Sequence, residues 1–318
     1  MIEVQGITKK YGSKVVVDNL SFTVAAGRVT GFLGPNGSGK STTMRCMLGL
    51  DRAQAGTTLF NGQRYETLAR PLREVGALLD ASYVHPGRSA RNHLRYLAAS
   101  NGLPAKRVSE VVDMVGLGTV MSKRVGTYSL GMKQRLGIAS ALLGNPNILM
   151  FDEPVNGLDP EGIHWMRSLM RYLASEGRAV LVSSHLLSEM AQTADDLVVI
   201  GQGRLISAST VEQFIATNVS SWVTVRSPDA NGVAAAATAA GGSVSHPGPN
   251  ELAISGLAVE RVGELAAQHG HVLHELTTHR ASLEDAFLLA TSGTLEYRAV
   301  LPLGTPLPPP SAGNRTVG

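Results

Sequence analysis

The stretch Gly34-Pro35-Asn36-Gly37-Ser38-Gly39-Lys40-Ser41-Thr42 has the residue types and spacing of G-x-x-x-x-G-K-[S/T], a backbone cradle for phosphates. Its glycines let the chain curl tightly, so that successive N–H groups and the N-terminus of a following helix converge on one anion. Lys40 would reach the β- and γ-phosphates of a nucleoside triphosphate, and the Ser41 hydroxyl would ligate Mg²⁺. A second reactive set stands at Asp152 and Glu153. The first carboxylate would hold Mg²⁺, mainly through water, because that ion keeps much of its hydration shell. The second would orient or polarise an attacking water. Two acids at a strand end are common on protein surfaces; downstream of a phosphate cradle they complete a hydrolytic set.

These groups need elements to hold them. Val29–Leu33 is a short apolar run, as expected of a buried parallel strand feeding the cradle. Met44, Met47 and Leu48 recur at helical spacing after it. Ile148–Phe151 is another apolar run ending in Asp152-Glu153-Pro154, and Ala179–Val182 a third ending in Ser183-Ser184-His185. Reactive residues at the C-terminal ends of buried parallel strands are where open α/β sheets place their sites.

Around this frame, Val4–Thr8, Val15–Val17 and Phe22–Val24 read as short strands of an antiparallel flap. Tyr11 lies in the first of its turns, where an aromatic ring face could stack on an adenine. Val75–Leu79 reads as a strand ending at Asp80. From about residue 85 to 145 the pattern is helical: Leu94 and Leu97 mark one helix, Val108, Val111, Val112 and Val115 a second, and Leu136–Leu143 a third. This block interrupts the strand–helix alternation and reads as an inserted subdomain. Leu197–Ile200 and Arg204–Ala208 make a hairpin. After Thr217 come Trp222–Val225, an Ala-rich stretch over Val233–Ala240, Ser243–His246, Leu252–Ser255, Leu257–His269 and Val272–Leu276. That order is β-α-β-β-α-β, a ferredoxin-like unit, although the Ala-rich stretch also reads as a linker. Ser282–Leu289 adds a helix, and the segment 293–318, with Pro302, Pro306, Pro308, Pro309 and Pro310, reads as a disordered tail. The expected domains are therefore 1–217, 218–292 and the tail.

Between the cradle and Asp152 stands Tyr128-Ser129-Leu130-Gly131-Met132-Lys133-Gln134-Arg135. Over about residues 1–217 the chain resembles the ABC transporter ATPases, whose signature reads Leu-Ser-Gly-Gly-Gln and opens a helix. The resemblance implies an α/β P-loop cassette with an antiparallel β subdomain, a helical subdomain and a small C-terminal α+β domain. It implies ATP and Mg²⁺ as ligands, and a head-to-tail dimer in which Ser129 and Gly131 reach the γ-phosphate held by the partner's P-loop. It further gives Tyr11 the adenine, Asp159 of Gly157-Leu158-Asp159-Pro160 the dimer interface, His185 the γ-phosphate, and Asp152 and Glu153 the Walker B roles. The chain departs from the family at Tyr128 and Leu130, and has Asp80 where a glutamine is expected to touch metal and water. An acid there would crowd Asp152 and Glu153 and sharpen the Mg²⁺ dependence, with Tyr83–Arg88 beside it as the surface gripping a permease.

The C-terminal half, including Ala281-Ser282-Leu283-Glu284-Asp285-Ala286-Phe287, looks like the ends of bacterial drug- and antibiotic-resistance exporter ATPases of the daunorubicin and bacitracin type. The implied partner is a separately encoded multi-span permease, and the implied place the cytoplasmic face of a bacterial membrane. A soluble ABC ATPase of DNA repair or translation is the alternative; those chains carry long coiled-coil insertions or two cassettes, and no heptad run is seen here. A P-loop small-molecule kinase would lack the signature, D-loop and His185.

Composition agrees with a globular chain. Of 318 residues 43% are apolar and 17% charged, and the net charge of +3 with no dense Lys/Arg run argues against a nucleic-acid partner. No run of 18 apolar residues occurs and Met1-Ile2-Glu3-Val4 opens in a strand-like pattern, so a soluble intracellular chain is expected. Cys46, the single cysteine, excludes an internal disulfide. His269, His271, His274 and His279 have irregular spacing and no cysteine nearby, and read as surface histidines.

Overall fold

The apolar run before the phosphate cradle is strand β3 (Val29–Leu33), buried at every residue. A strand covered on both faces has no polar side to alternate with, which is why the run is continuous. The computed structural model describes residues 1–219, 221–279 and 281–292; the expected proline-rich tail lies outside them. Two units divide the chain, Met1–Val211 and Glu212–Ala290.

In the first unit, β1 (Ile2–Tyr11), β2 (Lys14–Val24) and β4 (Ala55–Phe60) form an antiparallel sheet in the order β2-β1-β4. One long β2 replaces the two short strands expected over Val15–Val17 and Phe22–Val24. Asn19 absorbs the irregularity between them at φ 47, a left-handed conformation that asparagine tolerates better than most residues. The second sheet runs β5-β6-β7-β3-β8-β9, with β5 (Val75–Leu78), β6 (Ile148–Asp152), β7 (Ala179–Ser183), β8 (Asp196–Gly201) and β9 (Arg204–Thr210). All neighbours are parallel except the β8–β9 hairpin. The C-terminal ends of β3, β6 and β7 therefore lie side by side, and register sets Asp152 and Phe32 on opposite flanks of Ser183.

Helix α1 (Lys40–Met47) follows the cradle and buries Met44, Cys46 and Met47 in the core shared with Phe22, Phe32 and Met150. The short α2 (Pro71–Glu74) precedes β5, and α3 (Ala90–Ser100), α4 (Lys106–Met114) and α5 (Leu130–Leu142) lie between β5 and β6. Helices α3 and α4 each bury one stripe, on α4 Val108, Val111 and Val112, whereas α5 is buried all round from Leu136 to Leu142. Tyr128, where the family has Leu, is buried and its hydroxyl donates to the Val120 carbonyl at 2.8 Å, so this departure is a packing choice. Helices α6 (Pro160–Ser175) and α7 (Leu187–Thr193) connect β6, β7 and β8.

The second unit starts within α8 (Val211–Asn218) and holds β10 (Trp222–Arg226), α9 (Ala230–Ala239), β11 (Ser243–Gly248), β12 (Glu251–Ser255), α10 (Val259–Gln268), β13 (Glu275–His279) and α11 (Leu283–Thr291). Its antiparallel sheet, β11-β12-β10-β13, is the ferredoxin-like order, closed over Val223, Val225, Val233, Leu252, Ile254 and Val262. The Ala-rich stretch is a helix and no linker: Asp229 caps it by accepting from the Gly232 N–H at 3.0 Å, and Val233 and Ala237 are buried. The last strand starts later than Val272, because pairing with β10 opens with the His274 N–H donating to the Arg226 carbonyl at 2.7 Å. His271 is not a surface histidine; Nδ1 lies 3.0 Å from Asp229 and the side chain is 15% exposed. Among the described residues no helix is long and apolar enough to cross a membrane.

Candidate functional site

The cradle is built against two neighbours by glycine alone. Gly39 takes φ +102, and a Cβ there would sit 2.8 Å from the Val16 carbonyl. Gly203, in the β8–β9 turn, also packs on the Val16 carbonyl, while its N–H donates to the Ser38 carbonyl at 3.0 Å. The loop is thus clamped between β2 and the hairpin. No sequence motif announced the part played by Gly203.

Lys40 is buried, and its ammonium donates to the Gly34 carbonyl at 2.7 Å and to the Pro35 carbonyl at 3.3 Å. Burial pushes its pKa down, and the charges of Glu153 and Asp152 act against that shift. The buried Ser38 hydroxyl has no hydrogen-bond partner. A cation lined up with loop carbonyls and an orphaned donor together suit an anion that brings its own acceptor oxygens. They face a cavity of about 310 Å³ lined by Val16, the residues from Asn36 to Thr42, and Glu153. A second cavity of about 540 Å³ shares Val16, Asn36, Gly37 and Ser38 and adds Tyr11, Pro35 and Gln202. A triphosphate and its base would need two such adjoining spaces.

Tyr11 is held at the rim of the second cavity. Its hydroxyl donates to Asp51 at 2.9 Å, and Asp51 is in turn paired with Arg45 at 2.8 Å. Arg45 holds the Asp51 carboxyl below its usual range, and the neighbouring carboxylate raises the Tyr11 pKa, which keeps the phenol neutral. Lys9 lies over the ring, 4.7 Å from its centroid. Arg45 and Asp51 were not legible as site residues, because the tyrosine that Asp51 anchors lies forty residues away in the chain.

Asp152 is buried and accepts from the Ser183 hydroxyl. The same Ser183 oxygen accepts from the Glu153 N–H at 2.9 Å. Glu153 has φ +48, a conformation that costs a side chain with a Cβ about 1–2 kcal/mol. Its carbonyl accepts from Gln134 Nε2 at 2.9 Å, and its carboxylate lies 2.6 Å from His185 Nδ1. The three expected polar residues of β6 and β7 are therefore in one cluster, with Ser183 and Gln134 as members that sequence reasoning missed. Ser183 sits within the run read only as a strand end, and Gln134 inside the stretch read for Ser129 and Gly131.

Ser129 caps α5, its hydroxyl accepting from the Met132 N–H at 3.2 Å. Gly131 packs on the segment after Glu153, where a Cβ would meet the Gly157 carbonyl at 2.8 Å. Leu130 lies over Gly157 and is 56% exposed. Asp159 caps α6 by accepting from the Gly162 N–H at 2.9 Å, so one of its oxygens is already engaged. Asp80 stands just beyond β5, exposed, and accepts from the Ser82 N–H at 2.7 Å. Hydrogen bonds from Ser82 hold its carboxyl below the usual carboxylate range. This corrects the expected crowding: Ser82, and neither Asp152 nor Glu153, sets the charge of Asp80.

Comparisons with known proteins agree with this geometry. A family model described as "ABC transporter" matches residues 17–156, and one described as "Domain of unknown function (DUF8746)" matches residues 221–284. An uncharacterized ABC transporter ATP-binding protein, YhcH of Bacillus subtilis (strain 168), is 37% identical over 300 residues, covering 93% of this chain and 97% of its own. The bacitracin transport ATP-binding protein BcrA of Bacillus licheniformis is 42% identical over 209 residues, 65% of this chain and 68% of that one. Among solved structures, an ATP-binding subunit of an ABC transporter has a TM-score of 0.63 at 27% identity and covers 68% of this chain and 92% of that one. With the P-loop, the Walker B pair and His185 gathered at the ends of adjacent strands, the chain belongs to the ATP-binding subunits of ABC transporters.

Proposed function

We propose that the chain hydrolyses ATP to power export of an antibiotic, drug or lipid-like molecule through a separate membrane permease. The observation that carries the chemistry is Glu153: it lines the same cavity as the P-loop and lies 2.6 Å from His185. Its carboxylate would accept the proton of the attacking water, and His185 would hold that carboxylate in line. Lys40 would trade the loop carbonyls for phosphate oxygens. Ser41 and Asp152 would hold Mg²⁺, which supplies charge compensation on the phosphates. Asp152 suits this role, since Ser183 occupies one of its oxygens and fixes its direction.

Ser129 and Gly131 lie at the N-terminus of α5, where backbone N–H groups can serve a phosphate. In a head-to-tail dimer they would meet the nucleotide on the partner's P-loop, with Asp159 at the interface. The similarity to BcrA, a bacitracin transport ATP-binding protein, favours an antibiotic as cargo. The permease would place the chain at the cytoplasmic face of a bacterial membrane. Within Tyr83–Arg88 the gripping surface would be the exposed Tyr83, His85, Pro86 and Gly87, since Val84 is buried. Light scattering of the purified chain should show an ATP-dependent dimer; full turnover by a strict monomer would overturn this reading.

Asp80 has a distinct expectation. Its ionised carboxylate would attract Mg²⁺ through water, so Asp80→Asn and Asp80→Gln should move the Mg²⁺ midpoint of ATPase activity upward by roughly two- to threefold, the size of a screened charge effect. Unchanged midpoints in both variants would make Asp80 a turn-forming acid and nothing more.

A further inference from the structure

Glu153 reaches the P-loop cavity from a backbone that its own residue type disfavours, at φ +48. A conformation of this kind persists when surrounding groups over-determine it. Two side chains do so here, one on each side of the residue. Ser183 takes the N–H at 2.9 Å, and that serine belongs to the Asp152 cluster already described. Gln134 takes the carbonyl at 2.9 Å. It is 4% exposed and otherwise does no chemistry.

Gln134 lies on α5, one turn beyond the Ser129 cap. The same helix meets the segment after Glu153 at a second place, where Gly131 packs against the Gly157 carbonyl and Leu130 covers Gly157. Arg135, next in sequence, donates to the Val115 carbonyl at 3.0 Å and lies 4.4 Å from the Trp165 ring centroid of α6. The first turns of α5 and the segment Glu153–Asp159 are thus one packed piece. A rotation of the Glu153 peptide would swing its carboxylate relative to both Lys40 and His185, and Gln134 is the polar contact from α5 that opposes it.

We propose that Gln134 is a positioning residue for hydrolysis: its amide fixes the Glu153 peptide and thereby the aim of the catalytic carboxylate. The inference rests on the catalytic reading of Glu153 given above. A buried amide that merely satisfied a carbonyl would matter to stability; one that aims a reacting group matters to kcat, because small errors of orientation are expensive in rate.

The test is Gln134→Met, which keeps the length and loses the donor, made both in the wild-type chain and in Glu153→Gln. Phosphate release and ATP affinity are measured in all four proteins. In the wild-type background kcat should fall roughly tenfold or more with KM for ATP within about twofold, a loss of transition-state and not ground-state interaction. In the Glu153→Gln background the residual rate should not fall further, since the group being aimed has gone. Equal losses in both backgrounds, no loss in either, or a change confined to KM would overturn the proposal. Gln134→Asn, which keeps the amide but draws it back by one methylene, is read by the same criteria if the Met variant is poorly folded. A wild-type rate in Glu153→Gln alone would sink the parent reading, and this inference with it. A normal Glu153→Gln loss with additive Gln134→Met sinks this inference alone.

Discussion

Glu153→Gln is expected to lower ATP turnover by about 10²–10⁴-fold, the range for removing a general base, while ATP binding and the ATP-induced dimer persist. The substitution keeps the shape of the side chain and its ability to bond His185, and removes the charge that draws a proton from water. The surroundings make the change clean. The backbone contacts to Ser183 and Gln134 use the Glu153 N–H and carbonyl and survive it. So does the burial of Asp152. Steady-state phosphate release checks the rate and light scattering checks the dimer. A variant that turns over like the wild type would remove Glu153 from the mechanism.

Two separately inactive variants are expected to regain activity when mixed. Lys40→Ala deletes the buried cation that the loop carbonyls now hold and should reduce turnover by at least about 10²-fold, as loss of a preorganised charge on a transferring phosphoryl group does. Ser129→Arg sets a bulky cation at the N-terminus of α5, where a γ-phosphate must approach backbone N–H groups, and should block closure in the homodimer. A mixed dimer has one dead site, made of both altered surfaces, and one intact site, made of neither. Random pairing of equal amounts would restore about a quarter of wild-type sites, because half the dimers are mixed and each has one good site of two. The measurement is ATPase activity against mixing ratio. A mixture as inactive as its components would argue that the P-loop and signature do not meet across a dimer.

The legible part of this protein was the part written in consecutive residues. A phosphate cradle is a local backbone device, so Gly34–Thr42 declared it with the strand before and the helix after. Continuous apolar runs declared β3, β6 and β7, because strands buried on both faces cannot alternate. The β-α-β-β-α-β order of the second unit was readable from the alternation of strand-like and helical runs along the chain. Boundaries were less so: β2 runs unbroken past Asn19 because an asparagine can take a left-handed φ, and β13 starts where its pairing with β10 begins, not where the apolar residues do.

What the tertiary structure decided was how groups distant in the chain constrain one another. Sequence order placed Asp152, Glu153 and His185 at strand ends; the parallel register of β6 and β7 set Ser183 between the carboxylate and the peptide it steadies. The pairing of Glu153 with His185 and its hold on Gln134 each join residues nineteen or more apart, and no local pattern encodes them. The same holds for Asp51 under Tyr11 and for Gly203 behind the P-loop. Asp80 shows the converse case. Its position suggested a third acid crowding the metal site, but the charge of a carboxylate depends on the donors beside it, and the turn supplied Ser82. Residue type and order determined which chemistry this chain carries, because that chemistry needs particular atoms; packing decided where those atoms point, because a side chain's direction is set by neighbours that only folding brings near.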